Sequence, residues 1–155
     1  MRTLIDGHNL IPKVPGISLQ MIDDEDRLIE ELLVYCRVRR QVVEVFFDQA
    51  PPGHSGQRRV GQVTVHYVRQ GKTADQAIIE RLAQQGKRAH EWKVVTSDRQ
   101  IRAEAHALGA RLVSSEEFSA ELQAAHQAAQ VEQKENPTPP GPDELDEWLR
   151  LFKNR

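Results

Sequence analysis

The feature that most constrains this chain is a series of short apolar runs, each leading to an acid and followed by a helical pattern. Leu4-Ile5 stops at Asp6-Gly7, Val42-Val43-Glu44-Val45-Phe46-Phe47 stops at Asp48, and Val94-Val95 leads through Thr96-Ser97 to Asp98. The second run is β-branched and nearly continuous, as expected of a strand covered on both faces. Elsewhere the apolar period is helical. Leu28, Ile29, Leu32, Leu33 and Cys36 predict an amphipathic helix from about Asp24 to Arg39. Ala74, Ile78 and Leu82 predict another, closed near Gly86, and Ile101, Ala105 and Leu108 a third that Gly109 stops. Val63, Val65 and Tyr67 alternate with Gln62, Thr64 and His66, the pattern of a half-exposed strand near a sheet edge. Pro51-Pro52-Gly53 opens a polar loop reaching about Gln57, Arg111-Leu112-Val113 predicts a last strand, and Phe118, Leu122, Ala125 and Ala129 share one face of a long final helix. Strands and helices alternating at these lengths predict an α/β domain with a largely parallel sheet.

At 155 residues the chain suits one compact domain with little beyond a tail. That domain is expected over residues 1–135. A linker with four prolines follows over 136–142, and Leu145, Trp148, Leu149 and Phe152 give residues 143–155 the i, i+3, i+4, i+7 spacing of an amphipathic helix. That helix either packs back on the domain, the reading we favour, or docks a partner. No apolar run approaches the ~20 residues that span a bilayer, and the N-terminus lacks a signal-peptide layout, so a cytoplasmic protein without membrane contact is expected. The lone Cys36 forms no internal disulfide and makes no zinc site by itself. A net charge of −2 argues against a high-affinity, non-specific nucleic-acid binder, though not against an enzyme that meets polyanions through cations and a local basic rim.

In an open α/β sheet all parallel strands end at one rim, where ligands bind. Asp6, Asp48 and Asp98 fall at or just past strand ends, and Asp75 lies a few residues past the Val63–Val68 strand, at the start of a helix. Four carboxylates crowded together repel one another unless a cation intervenes. Hard, oxygen-seeking Mg²⁺ or Mn²⁺ suits such a set, and the six histidines are too scattered to compete as a zinc site. Each acid also has a purely structural reading. Asp6-Gly7 makes a turn, Asp48 starts a loop, and Thr73-Ala74-Asp75-Gln76 and Ser97-Asp98-Arg99-Gln100 match capping boxes. Taken singly, each structural reading is the better one; four acids at one predicted rim are harder to dismiss.

Ile5-Asp6-Gly7-His8-Asn9-Leu10-Ile11 resembles the opening motif of the YacP-like branch of NYN-domain nucleases, within the PIN-like superfamily. Val45-Phe46-Phe47-Asp48, Lys72-Thr73-Ala74-Asp75 and Val95-Thr96-Ser97-Asp98 follow in the family's order, so the similarity covers nearly the whole chain. The resemblance implies a PIN-like, Rossmann-like three-layer fold, metal-dependent endonuclease activity on RNA, and a connection with ribosomes or translation. It assigns Asp6, Asp75 and Asp98 to the metal, Asp48 as an outer acid, and Asn9 as an orienter of Asp6 or of substrate. Thr96 and Ser97 would hold a water or phosphate. Two positions depart from the pattern: His8 stands where tyrosine is common and could stack on a base, and Gln76 stands where glutamate is frequent, which favours one metal over two. The expected chemistry is in-line attack of water, activated by the ion, on an RNA phosphodiester. Lys72 and Arg99, with Arg58, Arg59 and Arg69 nearby, would contact phosphates. Two rivals stand beside it: an RNA- or ribosome-binding module without turnover, and a small-molecule phosphohydrolase. The oligomeric state is not legible.

Overall fold

The computed structural model describes residues 1–20, 23–50, 53, 56–69 and 71–135. The linker and tail helix expected over 136–155 lie outside them. Six strands form one sheet: β1 (Arg2–Asp6), β2 (Val42–Ala50), β3 (Gly56–Val60), β4 (Val63–Arg69), β5 (Trp92–Val95) and β6 (Arg111–Val113), in the order β3-β4-β2-β1-β5-β6. Every neighbouring pair is parallel except β3 with β4. The helices are α1 (Gly7–Leu10), α2 (Asp24–Arg39), α3 (Ala74–Ala83), α4 (Arg99–Ala107) and α5 (Ser115–Glu135), with short 3₁₀ turns at Ile11–Lys13 and Gly86–Glu91. None is long and apolar enough to cross a membrane.

Strand side chains alternate between two cores, which makes three layers. Ile5, Val43, Val45, Phe47, Val63, Val65 and Val95 face α2 and α5, packing with Leu28, Leu32, Cys36, Phe118 and Leu122. Leu4, Phe46, Val68 and Val94 face the other way, onto Ala74, Ile78 and Leu82 of α3 and Ala105 of α4. Each such fully buried Leu, Ile or Phe contributes roughly 1.5–3 kcal/mol. Cys36 is a small buried filler, as its neighbours in α2 imply.

Two expectations need correction. The polar stretch around Gln57 is not loop throughout, because Gly56–Val60 forms β3. This strand is exposed along nearly its whole length and has no apolar alternation, so only its backbone pairing with β4 reveals it. β4 therefore lies next to the sheet edge, as its alternation implies, with β3 outside it. The second correction concerns the end of β2, which runs on to Ala50, so Asp48 lies within the strand beside a register irregularity instead of after it. Helix α2 ends at Arg40, the one non-glycine among the described residues in the left-handed region (φ 53°). Glycine normally holds that place, since a Cβ there is strained.

A charge sits inside the second core. Glu44 is 2% exposed and points from mid-sheet toward α3. Its oxygens accept from Arg2 at 2.9 Å, from His66 Nε2 at 2.7 Å, and from Arg81 Nε and a terminal nitrogen at 3.2 Å each. Arg2 and Arg81 each also lie 5.3 Å from the centre of the Trp92 ring, and His66 stacks on Phe46. Burial by itself would raise the Glu44 pKa, but the hydrogen bonds from His66, Arg81 and Arg2 outweigh it and bring it down to about 2. Because the folded value lies below the ordinary 4.5, the resulting stabilisation is present above that value and is lost as pH falls from about 4.5 toward 2. Replacing Glu44 by Gln should cost about 3 kcal/mol at pH 7, since it leaves two guanidinium groups without their shared counter-charge. Urea unfolding of the two proteins at pH 7 and pH 3 checks this, and the gap between them should narrow at the lower pH.

Candidate active site

Parallel pairing brings the C-terminal ends of β1, β2, β4 and β5 to one rim. Asp6 ends β1, the central strand, and caps α1 by accepting the Asn9 N–H at 3.4 Å. The chain turns into α1 at Gly7 because Phe47 lies directly beneath it. A Cβ at Gly7 would fall 2.2 Å from Phe47 Cε1, and Phe47 is fully buried and cannot yield. The Asp-Gly pair therefore owes its glycine to close packing.

Asp75 sits in the first turn of α3, which begins with a true capping box. Thr73 Oγ1 accepts the Gln76 N–H at 3.1 Å, and Gln76 Oε1 accepts the Thr73 N–H at 3.0 Å. Gln76 is thus spent on the helix end, whatever acid stands there elsewhere. The box aims Asp75 at Asp6 and leaves Asp75 Oδ1 buried with no hydrogen-bond partner. Asp6 is pushed up to about 7 by burial first, then by the nearby Asp75 carboxyl, with Asp48 adding a smaller repulsion. An orphaned carboxylate oxygen beside an acid resisting ionisation is what a cation would relieve.

Asp48 stands on the outer side. Its Oδ1 lies 2.9 Å from His8 Nδ1, and Glu25 Oε2 lies 2.9 Å from His8 Nε2. Carboxylates only accept, so both contacts require both ring nitrogens to carry protons. The Glu25 hydrogen bond leads the causes that lift His8 to about 9, against the lowering effect of burial. With both ring edges engaged and Phe47 at 5.2 Å, His8 is a cationic clamp joining α1, α2 and β2, not a free stacking platform.

Asp98 caps α4, its Oδ1 accepting the N–H groups of Gln100 and Ile101 at 2.9 and 3.2 Å. The loop before it is held by Asn9, whose Oδ1 accepts the Ser97 N–H at 3.2 Å and the Ser115 hydroxyl at 2.6 Å. Thr96 is buried and its Oγ1 accepts the Asp98 N–H, while Ser97 Oγ donates to Glu116 at 2.7 Å. Asn9 therefore fixes the rim from β1 across to α5. Among the described residues, no three His, Cys, Asp or Glu side chains close into a group that could hold a metal ion. The acids thus form a tight pair, Asp6 with Asp75, with Asp48 and Asp98 each engaged elsewhere.

The basic residues divide. Lys72 pairs with Glu80 and lines a cavity of about 360 Å³ with His66 and Arg69 near the rim, and Arg99 is exposed at the start of α4. Arg59 pairs in register with Thr64, near the opposite end of β4, so it lies far from the acids. Glu25, Ser115 and Glu116 went unread in the sequence. Ser115 and Glu116 follow β6, a further strand ending at this rim, and the same strand-end rule that marked the aspartates would have found them. Gly7→Ala should destabilise the fold by about 1–3 kcal/mol through overpacking against Phe47. It should also spoil the Asp6–Asp75 approach; thermal denaturation together with a Mn²⁺ titration checks both.

Comparison with known proteins agrees with this layout. No curated protein sequence matches the chain. Among solved structures, Rae1 (YacP) from Bacillus subtilis superposes with a TM-score of 0.76 at 21% identity, covering 99% of this chain and 91% of that one. A mutant form of the same protein gives 0.73 at 20% identity, over 95% and 89%. These likenesses show the fold. The model of the YacP-like NYN domain matches residues 3–150, and the chain belongs to that PIN-like nuclease family.

Proposed function

We propose that the protein is a metal-dependent endoribonuclease that hydrolyses RNA phosphodiester bonds, with Mg²⁺ or Mn²⁺ as its ion. The observation that carries this reading is the half-buried Asp6–Asp75 pair, with one buried and unpartnered Asp75 oxygen, at the strand-end rim. PIN-like nucleases as a class use divalent cations. Asp6 and Asp75 would hold the ion, with Asp98 and Asp48 flanking it. Such a cation supplies positive charge against the phosphate and makes water a nucleophile at neutral pH. The remaining work falls to the chain's own groups. Asp6, raised to about 7, is partly protonated near neutrality and would lose that proton to solvent on holding a cation. Asn9 keeps the Thr96–Asp98 loop in place. His8 neutralises Asp48 and Glu25, so the outer acids repel an incoming phosphate less. Lys72 and Arg99 would bind phosphates to either side. Association with ribosomes and a cytoplasmic location belong to the same proposal; co-sedimentation with ribosomes tests the first.

Cleavage of single-stranded RNA with Mn²⁺ is the direct test. Asp6→Asn and Asp98→Asn should each lower it by about 100-fold or more, and asparagine keeps the α4 cap, so the second loss reports charge. A second readout needs no activity. Asp6 is raised from 3.8 to about 7, so the folded state loses stability as pH rises across that interval. Asp6→Asn should therefore melt higher than the unsubstituted protein at pH 8 without metal, and Mn²⁺ should stabilise only the unsubstituted protein. No cleavage with either ion, and no rise in the melting temperature of the variant, would overturn the reading. An RNA-binding module without turnover is favoured by one observation, the absence of a three-acid group among the described residues. Tight RNA binding with no cleavage would select it.

A further inference from the structure

The basic residues absent from the acid rim gather at the other end of the sheet. Helix α2 runs against the strands, so Arg37, Arg39 and Arg40 emerge where β2 begins. The tight turn between β3 and β4 packs on the same place. Arg59 Nε donates to Gly61 O at 3.3 Å, and Arg37, Arg40 and Gln62 line a cavity of about 300 Å³. One residue on from Gln41, Val42 borders a second cavity of about 510 Å³ that Arg2, Trp92 and Arg111 also line, with Glu91 its one acid. Among the described residues, Arg2, Arg27 and Arg81 are the arginines in ion pairs, so Arg37, Arg40, Arg59 and Arg111 carry unneutralised charge. These four stand at one end of the sheet, in a chain whose net charge is −2.

Helix-dipole compensation accounts for arginines at the end of α2. It does not account for Arg59 and Arg111, which stand on edge strands, nor for Arg40. Arg40 occupies a left-handed position (φ 53°) that glycine would fill without strain. A strained side chain kept in place points to use of the side chain. Their guanidinium groups are planar forks that match phosphate oxygens. We infer that this end of the sheet is a second RNA-binding surface, taking the phosphate backbone of a long RNA whose cleaved bond lies at the acid rim. The seven residues of β4 separate the two ends by roughly 20 Å. A short oligonucleotide held at the rim would not reach it. The inference rests on the ribonuclease reading and extends it to substrate length.

The test uses the full chain carrying Asp6→Asn, so that RNA is bound and not cut, with and without Arg37→Ala and Arg40→Gly. Arg40→Gly removes backbone strain, so weaker binding cannot be blamed on a weakened fold; thermal melting confirms this. Affinity for a long single-stranded RNA and for a short oligonucleotide is measured over a salt series. For the long RNA the two substitutions should weaken binding roughly tenfold near physiological salt. They should also flatten the slope of log affinity against log salt by about 0.7 for each phosphate that an arginine no longer neutralises. The short oligonucleotide should bind equally to both proteins. Unchanged affinity and slope for the long RNA would overturn the surface while leaving cleavage by the unsubstituted protein intact. If that protein neither binds nor cuts RNA of any length, the ribonuclease reading itself fails, and the patch fits an acidic protein partner instead.

Discussion

The arrangement of the whole rim hangs on a charge buried at mid-sheet. Removing a carboxylate from water costs several kcal/mol, and Glu44 is tolerated because Arg2, His66 and Arg81 surround it. Those partners come from β1, β4 and α3, so one carboxylate ties the central strand, an outer strand and a helix together. Helix α3 is the one that carries Asp75. Its last turn is held to the sheet by Arg81, and its first turn presses one acid against another. The attraction below offsets the repulsion above. A site that repels itself needs a scaffold anchored elsewhere, and the Glu44 cluster supplies that anchor.

Much of the fold could be read from residue order because its elements announce themselves by period. The Leu28–Cys36 stripe, the β-branched run before Asp48 and the Gly109 stop all correspond to observed elements. β3 escaped because its residues, Gly-Gln-Arg-Arg-Val, bury little and only Val60 packs on the core; it exists through hydrogen bonds to β4, which leave no pattern in one strand's side chains. Glu44 escaped for the opposite reason. Inside an apolar run a single acid looks like noise, and its partners lie 22 to 42 residues away in sequence.

The site was legible in its positions more than in its contacts. Strand ends marked Asp6 and Asp98 and the Thr73–Gln76 capping box marked Asp75, whereas the box expected at Ser97 does not form because Asp98 itself caps α4. What each acid touches depends on tertiary neighbours. The closeness of Asp6 to Asp75, the use of Asp98 as a cap, and the seizure of Asp48 by His8 could not be ranked from spacing. His8 shows the limit most clearly. A histidine in place of tyrosine suggested stacking on a base, yet Glu25, seventeen residues on, turns the ring into one half of an ion pair.

The exposed arginine strand has a consequence apart from any ligand. A sheet's outermost strands offer unpaired backbone groups to other chains, a common start of aggregation. Here one border is β3, five residues long with Arg58 and Arg59 side by side, and the other is β6, three residues long and opened by Arg111. Both borders are brief and positively charged, so a second copy approaching edge to edge meets like charge before it can pair. Among the described residues, both sheet borders are thus guarded against pairing with another copy.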